Sequence, residues 1–119
     1  MNIKERWLAI TAIIAIFTVV VLIISQKVSN PEIEEIKTQK TIQGQVEALV
    51  KLLDRVGPTE AQEEMFKSGL PFTGKTHLLF HTVGNYIYDK YGPEGLPMCR
   101  DYFLSACYHS VILNTLASL

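Results

Sequence analysis

The stretch that decides how this chain is organised is "WLAITAIIAIFTVVVLII", Trp7 to Ile24. It carries no charged residue, and Thr11 and Thr18 are its only hydroxyl groups. At ~1.5 Å of rise per residue a helix of this length spans ~27 Å. That nearly matches the ~30 Å hydrocarbon core of a bilayer. Trp7 stands at one end, where an indole suits the headgroup layer. A cleavable signal peptide has a shorter apolar region, ~7–15 residues, and ends in small residues. Here the exit is "SQKVSN", Ser25 to Asn30. Residues 7–25 are therefore read as an uncleaved transmembrane anchor.

On the N-terminal side, Lys4, Arg6 and the amino terminus crowd a short tail, residues 1–6. Lys27, Lys37 and Lys40 follow the span, diluted in an acidic stretch. Positive charge concentrated on a short tail favours that tail in the cytoplasm. The rest of the chain is then expected in the periplasm or outside the cell. The formal net charge of −1 lacks the basic patch that nucleic-acid binding needs, so the membrane, and possible protein partners, are the expected contacts.

Residues 26–40 read as a polar linker that begins a stalk helix, with Pro31 suited to a first helical turn. Residues 41–119 read as a small all-α domain of about four helices. In "TIQGQVEALVKLLDRVG", Ile42, Val46, Leu49, Leu53 and Val56 recur with helical spacing. The stripe is too short for a convincing coiled coil, and Val50 and Leu52 broaden it, so the helix is expected to pack on its own domain. Gly57 and Pro58 stop it. Thr59 and Gln62 have capping-box spacing for a short helix to about Ser68. "PFTG" is a turn, a further helix is expected over Lys75–Tyr91, and "GPEGLP" is a loop. The closing segment from Cys99 is mostly helical and ends on apolar "NTLASL". That end is either tucked against the fold or the edge of a fragment.

So small a domain has a modest core and benefits from a staple, either a disulfide or a metal ion. Cys99 and Cys107 are eight residues apart, ~12 Å along one continuous helix, whereas a disulfide needs Cα atoms within ~7 Å. A bond between them therefore requires a break. Ser105 can cap a helix starting at Ala106, which leaves Arg100 to Leu104 to fold Cys99 back.

"HLLFH", His77 to His81, sets two imidazoles one helical turn apart, close enough to reach one zinc or copper ion. Leu78 stands where a zinc protease needs its general-base glutamate, which excludes that chemistry. His109 is the natural third ligand, because it points ~200° around its helix from Cys107 and so can face the His77–His81 pair. A reduced cysteine joining the histidines as a thiolate is the rival arrangement. Gly84 and Tyr88 continue the histidine face and are candidate cofactor contacts, since a glycine there lets another backbone or a ligand come close. A thiol redox role is disfavoured by the C-x7-C spacing. No phosphate-binding loop, nucleophile elbow or paired catalytic carboxylates appear, so no catalytic residue is assigned.

The pattern "HLLFHTVGNYIYDKYG" followed by "CRDYFLSACYHS" resembles a loosely defined group of exported or membrane-anchored helical proteins. They carry H-x3-H-x2-G, then Y-x3-G, then C-x7-C-Y-H, usually with a glycine next. The resemblance covers about Thr73 to Val111. Ser110 stands at the usual glycine, and Thr76 where some of the group carry another cysteine. The resemblance implies that His77, His81, Gly84, Cys99, Cys107 and His109 form one constellation, and it adds haem to the transition metals as a possible occupant. It names no activity. Two functions compete: a membrane-tethered metal or haem site, and a metal-free structural or protein-interaction module pinned by the disulfide.

Overall fold

The computed structural model describes residues 1–25 and 30–119; the polar exit from the span, residues 26–29, lies outside the described residues. The fold is all-α, with no strand among the described residues. Helix α1 runs Ile3–Ser25, four residues earlier than the apolar run alone indicates. Within it, Ile3–Ile23 is long and apolar enough to cross a membrane and has no buried residue. Its two threonine hydroxyls donate to backbone carbonyls of the preceding turn, Thr11 to Trp7 and Leu8, Thr18 to Ile14. Such internal bonding leaves no hydroxyl hydrogen exposed to lipid.

Among the described residues five α-helices follow. The first, α2, Pro31–Thr38, opens at the proline where a stalk helix is expected, but it ends after two turns and packs into the domain. Asn30 caps it by accepting from the Glu32 and Ile33 amides, and Pro31 opens it. Ile33 and Ile36 are buried in the core. Helix α3, Ile42–Val56, lies antiparallel to α2 and is capped by Thr41. Arg55 grips Glu32 through two parallel bonds of 2.9 Å. Lys51 reaches Glu35 at 3.0 Å, and Gln45 donates to the Ile36 carbonyl at 2.9 Å. The apolar stripe behaves as its spacing implies. Leu49 and Leu53 are buried with Ala48 and Leu52, while Ile42, Val46 and Val56 pack at the margin.

Gly57 ends α3 at φ 85°, a left-handed value that favours glycine. It also serves as the N-cap of α4, Pro58–Lys67. The expected capping box does not form. Proline already occupies the first helical turn, and Thr59 and Gln62 face a distant partner instead. Thr59 donates to the Met98 carbonyl; the Gln62 amide donates to the Pro58 and Met98 carbonyls and accepts from the Arg100 amide at 2.8 Å. Gln62 is fully buried, so these bonds satisfy a side chain that would otherwise be costly to bury. They also fix the chain on both sides of Cys99.

Helix α5, Gly74–Tyr91, is capped by Thr73. The following loop contains a 3₁₀ segment, Gly92–Met98, and the last helix, α6, is Ala106–Ala117. Helices α5 and α6 run side by side in the same direction: His77 meets Phe103, His81 meets Ser110, and Asn85 meets Asn114. Two consecutive helices can be parallel only if the connection returns along them, which residues 92–105 do.

Candidate metal centre

The connection ends in an unusual backbone. Phe103, Leu104 and Ser105 have φ of 49°, 58° and 57°, a left-handed turn made without glycine. Each such residue costs roughly 1–2 kcal/mol. The turn is held covalently. Cys99 and Cys107 form a disulfide with Cα atoms 5.6 Å apart, so the helix break required by the cysteine spacing is present and α6 starts at Ala106. Ser105 is at the N-cap position, but its side chain makes no capping bond. Its left-handed φ turns the hydroxyl away, and it donates to Asp101.

The close approach of α6 to α5 is set at Gly84. A Cβ added there would lie 2.6 Å from Ser110 Cβ and closer still to the Cys107 carbonyl oxygen. The space on the Cβ side of Gly84 is thus filled by α6, the close backbone approach that a glycine at this position permits. Tyr88, the other candidate contact on this face, is half-buried and packed against the core.

One turn before the crossing, the three histidines converge. One ring nitrogen from each of His77, His81 and His109 lies within 4.8 Å of the other two. His77 and His81 are half-buried and His109 is exposed. The His77 and His81 rings meet edge to face, with Nε2 atoms 2.9 Å apart. The His109 ring centre is 5.9 Å from that of His81 and 6.4 Å from that of His77.

Hydrogen bonds fix the tautomers. His77 Nδ1 lies 2.7 Å from the Phe103 carbonyl oxygen, which can only accept. Nδ1 therefore carries the proton and, in the neutral ring, Nε2 holds a lone pair aimed at His81. Without an ion, His81 Nε2–H donates to that lone pair, and His81 Nδ1 accepts from the Ser110 hydroxyl at 2.7 Å. With an ion, His81 Nε2 must also present a lone pair. Its Nδ1–H then donates to the same hydroxyl, which serves equally as acceptor. Both inner histidines thus have an outer partner of the kind that orients metal-ligating imidazoles, a backbone carbonyl for one and a hydroxyl for the other. Burial pushes the His81 pKa below the ordinary histidine value, and the nearby His77 and His109 rings push it further down. A ring kept neutral is a ring ready to ligate.

The three histidines expected from spacing are brought together, and the two cysteines are withdrawn from the site by their mutual bond. The Phe103 carbonyl and the Ser110 hydroxyl are the functional groups that sequence reasoning missed. Ser110 is marked only by its place one residue after His109. A main-chain carbonyl leaves no sequence signal at all. No family model matches the chain, and neither a curated protein nor a solved structure matches it.

Proposed function

We propose that this chain is a membrane-anchored helical domain that binds one transition-metal ion through His77, His81 and His109, on the extracytoplasmic side of the membrane that α1 spans. The observation that carries the reading is the convergence of three imidazole nitrogens, two of them oriented from behind by Phe103 and Ser110. Tetrahedral zinc with bonds of ~2.0–2.1 Å holds its ligand nitrogens ~3.3 Å apart. The inner pair, at 2.9 Å, is already close to that separation, and exposed His109 closes the triangle by a side-chain rotation. Imidazole donors suit zinc, copper, nickel and iron. Three protein ligands leave a fourth position open.

The test is metal uptake by the full chain in detergent. Zinc and copper are titrated calorimetrically, with elemental analysis of the product. One equivalent is expected. His77→Ala and His81→Ala should each weaken it by more than the ~10–100-fold typical of losing an outer partner. Failure to bind stoichiometrically, or binding untouched by the double variant, refutes the reading. The same result would favour the metal-free module, for which the 2.9 Å contact between the inner rings is simply a hydrogen bond between neutral histidines.

A further inference from the structure

The three histidines are not equivalent. His77 and His81 are half-buried and each is held from behind at 2.7 Å, one by the Phe103 carbonyl and the other by the Ser110 hydroxyl. His109 is exposed. Its main-chain amide bonds the Ser105 carbonyl, but among the described residues its ring has no hydrogen-bond partner. An imidazole without an outer partner is the poorer ligand, since such partners contribute ~10–100-fold in metal affinity. It also gives up the rotamer freedom of an exposed side chain each time it closes on an ion. The bond from His109 is therefore the weakest of the three and the first to open.

The empty site is a satisfied state as well. Without an ion, His81 Nε2–H donates to His77 Nε2 at 2.9 Å, and the Ser110 hydroxyl turns from acceptor to donor at His81 Nδ1. Every ring nitrogen of the inner pair thus has a partner with or without metal. Nor does the fold need an ion as its staple, because the Cys99–Cys107 bond already pins α6 to the loop before it. A structural zinc domain is the opposite case and unfolds when its metal is removed. Two fixed ligands, one exposed ligand and a stable empty form suit an ion that is carried and passed on.

We propose that the centre is a transfer site, which exchanges its ion with imidazole donors of a second protein by displacement of His109. The proposal rests on the reading of the three histidines as a metal centre. The incoming imidazole enters at the open fourth position. One metal–nitrogen bond forms as the bond to His109 breaks, and the same exchange then repeats at His81 and His77. Lone pairs are swapped one for one, the His81 proton moves from Nδ1 to Nε2 with no net uptake, and the oxidation state of the metal does not change. Imidazole is the donor class rather than thiolate, because the cysteine pair is oxidised and thiols do not persist in an oxidising compartment.

The full chain in detergent is loaded with one equivalent of copper(II). It is mixed in a stopped-flow instrument with a hexahistidine peptide carrying a dansyl group, which bound copper quenches. The rate of quenching should rise in proportion to peptide concentration. A rate independent of peptide means that the ion leaves unaided, and this overturns the proposal. His109→Ala, at an exposed position, should still take up one equivalent of copper on the inner pair. It should pass the ion on about tenfold faster, since affinity lost with a ligand appears mainly in the off-rate. Loss of copper uptake in that variant, or transfer at the parent's rate, also overturns the proposal. The two readings fail separately: a parent chain that takes up no copper refutes the metal centre and the transfer together, whereas a loaded parent whose release ignores the peptide refutes the transfer alone.

Discussion

Replacing Gly84 by alanine adds one methyl group where α6 crosses α5, and the outcome can be worked from distances. The new Cβ would start 2.6 Å from Ser110 Cβ and closer to the Cys107 carbonyl. Ordinary carbon–carbon contact begins near ~3.5 Å, so α6 must retreat by about 1 Å. It cannot do so freely, because the disulfide ties Cys107 to Cys99 and Gln62 and Thr59 hold the chain at Met98 and Arg100. Overpacking costs ~1–3 kcal/mol, and a rigid backbone neighbour puts this case at the upper end. Alanine returns ~0.8–1.0 kcal/mol through helix propensity. A net loss of about 2 kcal/mol remains, a fall of roughly 8–16 °C in melting temperature for a domain of this size. The same retreat stretches the 2.7 Å contact between His81 and Ser110, so metal affinity should drop ~10–100-fold. Gly74→Ala is the control. Nothing lies within 4 Å of its added Cβ, and it should be neutral or up to ~1 kcal/mol more stable. Thermal melts and zinc calorimetry on both variants decide the matter. A Gly84→Ala protein as stable and as tight-binding as the parent would refute the close crossing and the role given to it.

Removing the disulfide with Cys99→Ser and Cys107→Ser should cost about 2–3 kcal/mol for so short a loop, read from urea denaturation. It should also weaken zinc binding, since the loop that presents the Phe103 carbonyl to His77 is released. Gln62→Leu leaves the Met98 carbonyl and the Arg100 amide short of a partner, and should destabilise by about 2–3 kcal/mol in the same assay. In metal-free protein the depressed pKa of His81 means that the unfolded chain takes up a proton before the folded one does. Stability should hold above pH ~6.5 and fall as pH drops from there through the lower folded value; His81→Gln should flatten that slope. Metal affinity should fall over the same acid range, by about tenfold per pH unit for each ring that must lose its proton to bind, and a pH-independent affinity from 7 down to 5 would exclude histidine ligation.

What was readable in advance was whatever repeats locally. The apolar run of α1, the stripe from Ile42 to Val56, proline at Pro31 and the four-residue step from His77 to His81 all act within a turn or two of helix. The convergence of His109 on that pair was also within reach, because the disulfide's span forces a break and fixes which side of α6 is left free. Contacts between distant backbone groups were not readable. Thr59 and Gln62 have the spacing of a cap and serve instead as a clamp on Met98 and Arg100, since Pro58 had already started the helix. Three non-glycine residues in left-handed conformation go against every local preference and are held by the covalent bond and the clamp around them. The start of α2 was legible at Pro31, but not its packing into the domain, because only Ile33 and Ile36 of an otherwise polar, acidic helix face inward.

The seam between α2 and α3 also determines how the domain carries load. With α1 held fixed, a pull on the domain would enter at Asn30, which is joined to α2 as its N-cap and to α4 through its side-chain amide on Glu64. A pull along the α2 axis is shared by the buried Ile33 and Ile36 and by the ion pairs to Arg55 and Lys51, which resist together. A pull away from the axis would load the Asn30–Glu64 bond first, then the Glu32–Arg55 grip and, one turn later, Glu35–Lys51. The α2–α3 seam would then open before the pair of α5 and α6, which the disulfide holds covalently around the three histidines.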